Sequence, residues 1–231
     1  MRAMILAAGR GERMRPLTDT TPKPLLDVGG TPLIGWHLKK LAAAGVREVV
    51  INHAWLGEQI EACLGDGSAY GVQIQYSAEG KALETAGGVA KALPLLGTAP
   101  FILLSADIYT DYPYARLVAA AQALAAEPQR LAHLVLAPTT RYQLDFSLDE
   151  AGWVRGDAAP QYTYANLGVL RPELVASVVA GQAAKLGPLL HQFAAAGRIS
   201  GEAYAGPWLN VGSPADLAEA RAAASRQTHA G

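Results

Sequence analysis

Apolar residues in this chain gather into short runs separated by polar stretches and glycines. Ala3 to Leu6 is one such run, the pattern of a strand buried on both faces. Leu33, Ile34, Leu38 and Leu41 then recur at helical spacing, and Gly45 supplies a usual stop signal. Glu48 to Asn52, Val72 to Tyr76, Phe101 to Leu104 and Leu131 to Ala137 read as four further strands. A helix is expected from about Thr85, an Ala-rich helix over Arg116 to Gln129 and another over Leu186 to Ala196. Tyr162 to Leu170 and Ile199 to Tyr204 return as strands, Arg171-Pro172 predicts a helix start, and Ser213 is placed to cap the final helix. Strand, loop, helix and strand in the first fifty residues make a βαβ unit with parallel strands. The pattern predicts a doubly wound, mostly parallel, Rossmann-like α/β sheet with helices on both faces, in a single domain over residues 1–231. Residues 141–160 break into short pieces such as Asp145-Phe-Ser-Leu148, predicting a hairpin-like insertion over the sheet's carboxyl side.

Composition narrows the picture only a little. With 51% hydrophobic and 17% charged residues among 231, the chain is long enough to bury a substantial core. A formal net charge of -1 and the absence of a basic tract propose neither nucleic acid nor a membrane surface as partner. The run Ala3 to Ala8 is too short to span a bilayer or form a signal-peptide core, which implies a cytoplasmic protein. Cys63, the sole cysteine, is expected to be buried in a helix, and the five histidines lack zinc-site spacing.

Charge is nevertheless uneven. Residues 2 to 24 carry five cations, Arg2, Arg10, Arg13, Arg15 and Lys23, against Glu12 and Asp19, a local balance of +3. They surround Ala8, Gly9 and Gly11 at a strand's carboxyl end, where small residues let backbone N–H groups approach a ligand. That combination suits a polyphosphate. Met14 stands where the dinucleotide fingerprint needs its third glycine, and no Lys-Ser or Lys-Thr pair follows Gly11 as a mononucleotide P-loop requires.

Other polar residues fall at strand or helix ends. Asn52 either contacts ligand or caps a helix beginning near Gly57. Gly87 and Gly88, in the first turn of a helix, suggest close backbone approach to a base or phosphate through unpaired N–H groups. Asp107 follows the most apolar strand, where packing explains a carboxylate poorly, whereas Asp111 has a good alternative as a helix cap. No base of the kind an alcohol acceptor would need stands out. A sugar 1-phosphate is already an anion at neutral pH and needs none, which favours nucleotidyl transfer with release of pyrophosphate.

The run Leu6 to Thr18, LAAGRGERMRPLT, with Pro22-Lys-Pro-Leu25, resembles the signature of the sugar-1-phosphate nucleotidyltransferases. The resemblance implies condensation of a nucleoside triphosphate with a sugar 1-phosphate, using Mg²⁺. It implies that Ala8, Gly9, Gly11, Glu12, Arg13, Lys23, Thr85 and Gly88 surround the nucleotide, with Arg13 and Lys23 catalytic. Asp145 and Asn166 would contact the sugar, and Asp107 with Asn210 would hold the metal. The stretches Asn52 to Gly57 and Leu83 to Gly88 are similar to the branch acting on muramate sugars with UTP. A guanylyl or thymidylyl transferase, or a weakened nucleotide-binding homologue, is the alternative. Three departures bear on it: Asn210 replaces a usual Asp, Ala106 a usual Gly, and Asn166 a common Gly.

Overall fold

The computed structural model describes residues 1–156 and 158–228; Asp157, within the expected 141–160 insertion, and residues 229–231 lie outside the described residues. In chain order the strands are β1 (Arg2–Leu6), β2 (Asp27–Val28), β3 (Thr31–Pro32), β4 (Glu48–His53), β5 (Gln73–Ala78), β6 (Phe101–Ser105), β7 (Ile108–Thr110), β8 (Ala132–Ala137), β9 (Ser147–Leu148), β10 (Val154–Arg155), β11 (Thr163–Leu170), β12 (Ile199–Ala203) and β13 (Trp208–Asn210). The helices are α1 (Leu17–Thr20), α2 (Leu33–Ala43), α3 (Gly57–Leu64), α4 (Glu84–Leu96), α5 (Ala115–Ala126), α6 (Leu186–Ala195) and α7 (Pro214–Thr228).

Seven strands form one sheet in the order β12-β8-β11-β6-β1-β4-β5. All neighbours are parallel except β11, which runs antiparallel to both β6 and β8. Consecutive strand residues point to opposite faces, and both faces are covered, which is why the central strands read as unbroken apolar runs. Ile5, Ile51 and Leu104 meet Leu38 of α2, Ile60 of α3 and Leu117 of α5 on one face. Met4, Val50 and Leu103 meet Val89 of α4 and Leu190 of α6 on the other. A third apolar cluster joins Met14, Leu26, Leu209 and Val211 to Leu217 and Ala220 of α7, folding the first loop against β13.

The chain winds outward from β1 to β4 to β5 with α2 and α3 on one face. It then crosses back by α4 on the other face to place β6 on the far side of β1. The carboxyl ends of β1 and β6 therefore diverge into a crevice, the usual ligand position in such sheets.

Three expectations change. Arg171-Pro172 opens only a 3₁₀ turn, Pro172–Val175, because Leu174 and Val175 pack into the core and the chain then leaves to bring Ala184 to the start of α4. Cys63 is exposed, since α3 buries only Gly57, Ile60 and Leu64 and Cys63 lies on its outer face. The β9–β10 hairpin packs on edge strand β12, where a Cβ at Gly201 would come within 2.7 Å of Val154. Among the described residues of this segment, Asp145 and Phe146, at the hairpin base, are the ones that line the crevice.

Candidate active site

At the crevice lies a cavity of about 450 Å³. The first loop contributes Ala8, Gly9, Gly11, Glu12, Arg13 and Lys23; Asp107 follows β6, and Thr85 stands at the start of α4. A Cβ at Gly9 would meet no other protein atom within 4 Å, so this wall is bare backbone facing open space. Gly11 has φ +71°, and its carbonyl accepts the Thr18 hydroxyl at 2.8 Å, which fixes the turn. A smaller cavity of about 190 Å³ shares Leu6, Thr85 and Ser105 with the first. Asp145, Asn166, Phe146, Tyr164, Leu190 and His191 complete most of its wall.

Tertiary structure sorts the loop's five cations. Arg2 pairs with Glu48, while Arg10 and Arg15 both reach Asp19, at 3.0 and 2.8 Å. The Arg10 guanidinium also lies 3.6 Å from the centre of the Trp55 ring. These hydrogen-bonded arginines, Arg10 first, hold the Asp19 carboxyl below its ordinary pKa. Arg13 and Lys23 remain for the cavity. Among the described residues Arg13 has no side-chain hydrogen bond or ion pair; its guanidinium lies against Gly212, where a Cβ would stand 2.8 Å from Nη2. Lys23 Nζ donates to Asp107 Oδ2 at 2.7 Å, bridging the loop to the end of β6.

Behind Asp107, β7 pairs with β13, setting Asn210 opposite Ile108, and Val211 N–H donates to the Asp107 carbonyl at 2.8 Å. Asn210 Oδ1 is buried and has no hydrogen-bond partner among the described residues. Asp216 accepts from Gly212 N–H and Ser213 Oγ, and Arg141 reaches its other oxygen at 2.7 Å, anchoring this turn to α7. His37, fully buried nearby, has its Nδ1 2.5 Å from the Tyr114 hydroxyl. Burial lowers its pKa to about 4 against the opposing pull of Asp107, so it is neutral at pH 7.

Asn52 does not cap α3; it lines the larger cavity and belongs to a buried network. Its Oδ1 accepts Ala7 N–H at 3.0 Å, and its Nδ2 donates to Glu79 Oε1 at 2.6 Å. Glu79 Oε2 accepts Leu83 N–H at 2.7 Å, so one buried network joins β1, β4 and the entry to α4. Gly88 serves this network: a Cβ there would be 2.5 Å from Glu79 Oε1 and 2.7 Å from Asn52 Nδ2. Gly88 thus stands behind the cavity wall, not on it. The α4 start also differs from expectation, because Ala86 and Gly87 N–H both donate to the Ala184 carbonyl, at 2.9 and 3.1 Å. Those donors are used within the protein, and Gly87 is small because Gln182 O would lie 2.3 Å from its Cβ.

The profile of the nucleotidyl transferase family matches residues 2–143. The chain belongs to this family. A relative at 53% identity, covering 97% of this chain and 98% of its own, is the N-acetylmuramate alpha-1-phosphate uridylyltransferase of Neisseria meningitidis serogroup B. The Caulobacter vibrioides protein of the same name is 38% identical, with 92% of each chain covered. A crystal structure of a candidate glucose-1-phosphate thymidylyltransferase from Bacillus anthracis superposes with a TM-score of 0.84 over 97% of this chain and 95% of that one. At 18% identity it speaks for the fold.

For a nucleotidyl transferase, two of the three sequence departures have simple backbone explanations. Asn166 has φ +56° at a register shift in β11 between Tyr164 and Gly168. After glycine, asparagine tolerates that conformation well, so the bulge is retained and a side chain is added to the smaller cavity. Ala106 is not among the positive-φ residues and donates N–H to Leu6 O at 3.0 Å, a geometry any residue adopts. The parts played by Glu79, Gly212, Phe146 and His191 have no local signal in the sequence, because each depends on a partner distant in the chain.

Proposed function

We propose that this nucleotidyl transferase joins UTP to N-acetylmuramate 1-phosphate, giving the UDP-sugar and pyrophosphate, in the cytoplasm. The observation that carries the reading is the convergence of Lys23 and Arg13 on a bare glycine wall, with a second, mixed polar and apolar cavity opening from the same space. The names of the two relatives support the choice of base and sugar.

In this reading the Gly9 to Arg13 loop holds the triphosphate and Thr85 borders the nucleotide. Asp145, whose Oδ2 is fixed by Thr163 Oγ1 and Tyr164 N–H, presents its other oxygen to the sugar beside Asn166. An oxygen of the sugar phosphate attacks the α-phosphorus. The new P–O bond forms as the bond from the α-phosphorus to the oxygen bridging to the β-phosphate breaks, and pyrophosphate leaves with that electron pair. With a second pKa near about 6 the acceptor is already anionic, so no base is required. Lys23 neutralises charge gathering on the α-phosphate and the incoming phosphate.

Asp107, on the cavity wall and paired with Lys23, would offer Mg²⁺ a carboxylate oxygen, and Asn210, whose buried Oδ1 has no partner among the described residues, lies on the adjoining strand behind the wall and would have to turn to add a second oxygen. When bound, the ion would neutralise phosphate oxygens. Asn210 supplies no charge, so Asn210→Asp is expected to lower the Mg²⁺ concentration for half-maximal activity about tenfold, or about 1.4 kcal/mol. That is a heavily discounted share of the roughly 4 kcal/mol between unit charges at about 4 Å and dielectric 20. Superimposable Mg²⁺ titrations of the two proteins would remove Asn210 from the site.

The reaction is tested by pyrophosphate release from UTP, GTP or dTTP with a panel of sugar 1-phosphates. The largest kcat/KM is expected for UTP with N-acetylmuramate 1-phosphate. Turnover confined to GTP or dTTP, or no turnover with any pair, would overturn the proposal.

A further inference from the structure

The smaller cavity contains one side chain able to carry positive charge. Its lining includes Asp145 as the single carboxylate and no lysine or arginine, which leaves His191. The imidazole stacks on Phe146, with ring centroids 4.5 Å apart and planes 30° from parallel. Phe146 is almost wholly buried, whereas His191 is exposed, so the imidazole stands at the cavity's rim with Phe146 as a fixed neighbour. Among the described residues His191 makes no hydrogen bond or ion pair; its Nδ1 lies towards Gly156, where a Cβ would stand 3.5 Å away, and Nε2 is the nitrogen assigned to a ligand. Asp145, by contrast, already takes two protein donors and can offer a ligand only further acceptor capacity.

These groups divide sugar substituents by chemistry. Hydroxyl and amide N–H groups are donors that suit Asp145 and Asn166, and an acetyl methyl suits Phe146, Leu186 and Leu190. A carboxylate would be repelled by Asp145 and could take only neutral donors from Asn166 or the lining hydroxyls, so His191 is the one lining side chain that can meet it with a cation. We infer that His191 is the specificity-determining residue that accepts a carboxylate-bearing sugar, donating an imidazole N–H to the acid group, and so separates muramyl from glucosaminyl phosphates. This rests on the proposed sugar-phosphate reaction and deepens it. N-Acetylmuramate differs from N-acetylglucosamine in its 3-O-lactyl group, whose carboxylate is the feature to be read.

The test compares kcat/KM for N-acetylmuramate 1-phosphate and N-acetylglucosamine 1-phosphate, each with UTP, in the wild type, His191→Phe and His191→Arg. Phenylalanine keeps a ring to stack on Phe146 and removes the N–H. His191→Phe is expected to lower kcat/KM about 30-fold for the muramyl substrate and less than about threefold for the glucosaminyl one, the scale of one charge-assisted hydrogen bond. His191→Arg is expected to retain the muramyl preference. An unchanged muramyl-to-glucosaminyl ratio in His191→Phe, or equal losses on both substrates, would overturn the inference and leave the reaction standing. A wild type that turns over neither substrate would overturn both.

Discussion

Lys23→Ala is expected to lower turnover by about 10²-fold or more while leaving the melting temperature nearly unchanged. The rate effect is the scale for losing one preorganised group that stabilises charge developing in the transition state. The fold is spared for a local reason. Lys23 opens a 3₁₀ turn whose backbone bond, Leu26 N–H to Lys23 O at 3.1 Å, does not involve the side chain. Its partner Asp107 is one-third exposed, so the freed carboxylate can be hydrated, and partly exposed pairs contribute about 1 kcal/mol or less. Pyrophosphate release under saturating substrates, with thermal melts of both proteins, checks the two halves. Near-normal turnover would make Lys23 a partner of Asp107 only.

Asn52→Leu should act in the opposite sense, on the fold first and on the site through it. The side chain is buried between the Ala7 N–H and the Glu79 carboxylate, at 3.0 and 2.6 Å. Leucine is similar in size and satisfies neither. An orphaned buried N–H costs about 1–3 kcal/mol, and a buried carboxylate losing a partner costs more, for a total of about 3–5 kcal/mol. At about 2–4 °C per kcal/mol for a chain of this size, the melting temperature should fall by about 10 °C. Because Ala7 begins the loop, the surviving fold should also bind nucleotide more weakly. Asn52→Asp keeps an acceptor for Ala7 but faces Glu79 with a second acid, so it should be no better. A melting temperature within about 2 °C of wild type for Asn52→Leu would show that the network is not closed as described.

Much of this was legible in the chain because it depends on local pattern. Continuous apolar runs at Ala3 to Leu6 and Phe101 to Leu104 require strands covered on both faces, and their alternation with helical spacing requires a doubly wound sheet. The small residues after Leu6 and the Pro-flanked Lys23 marked the loop, and a lone Asp107 after an apolar strand marked the place opposite it. Summed charge misled, because sequence counts cations without showing their partners. Only folding brings Glu48 to Arg2 and Asp19 to Arg10, leaving Arg13 and Lys23 for the cavity. Gly88 has the same lesson: its missing Cβ makes room for Glu79 and Asn52, residues 9 and 36 positions away, so a packing constraint looked like a ligand contact. The smaller cavity lies further still from any local signal. Asp145, Asn166 and His191 come from a hairpin base, a bulged strand and a helix, and the long-range packing of those three elements is what sets their side chains around one space.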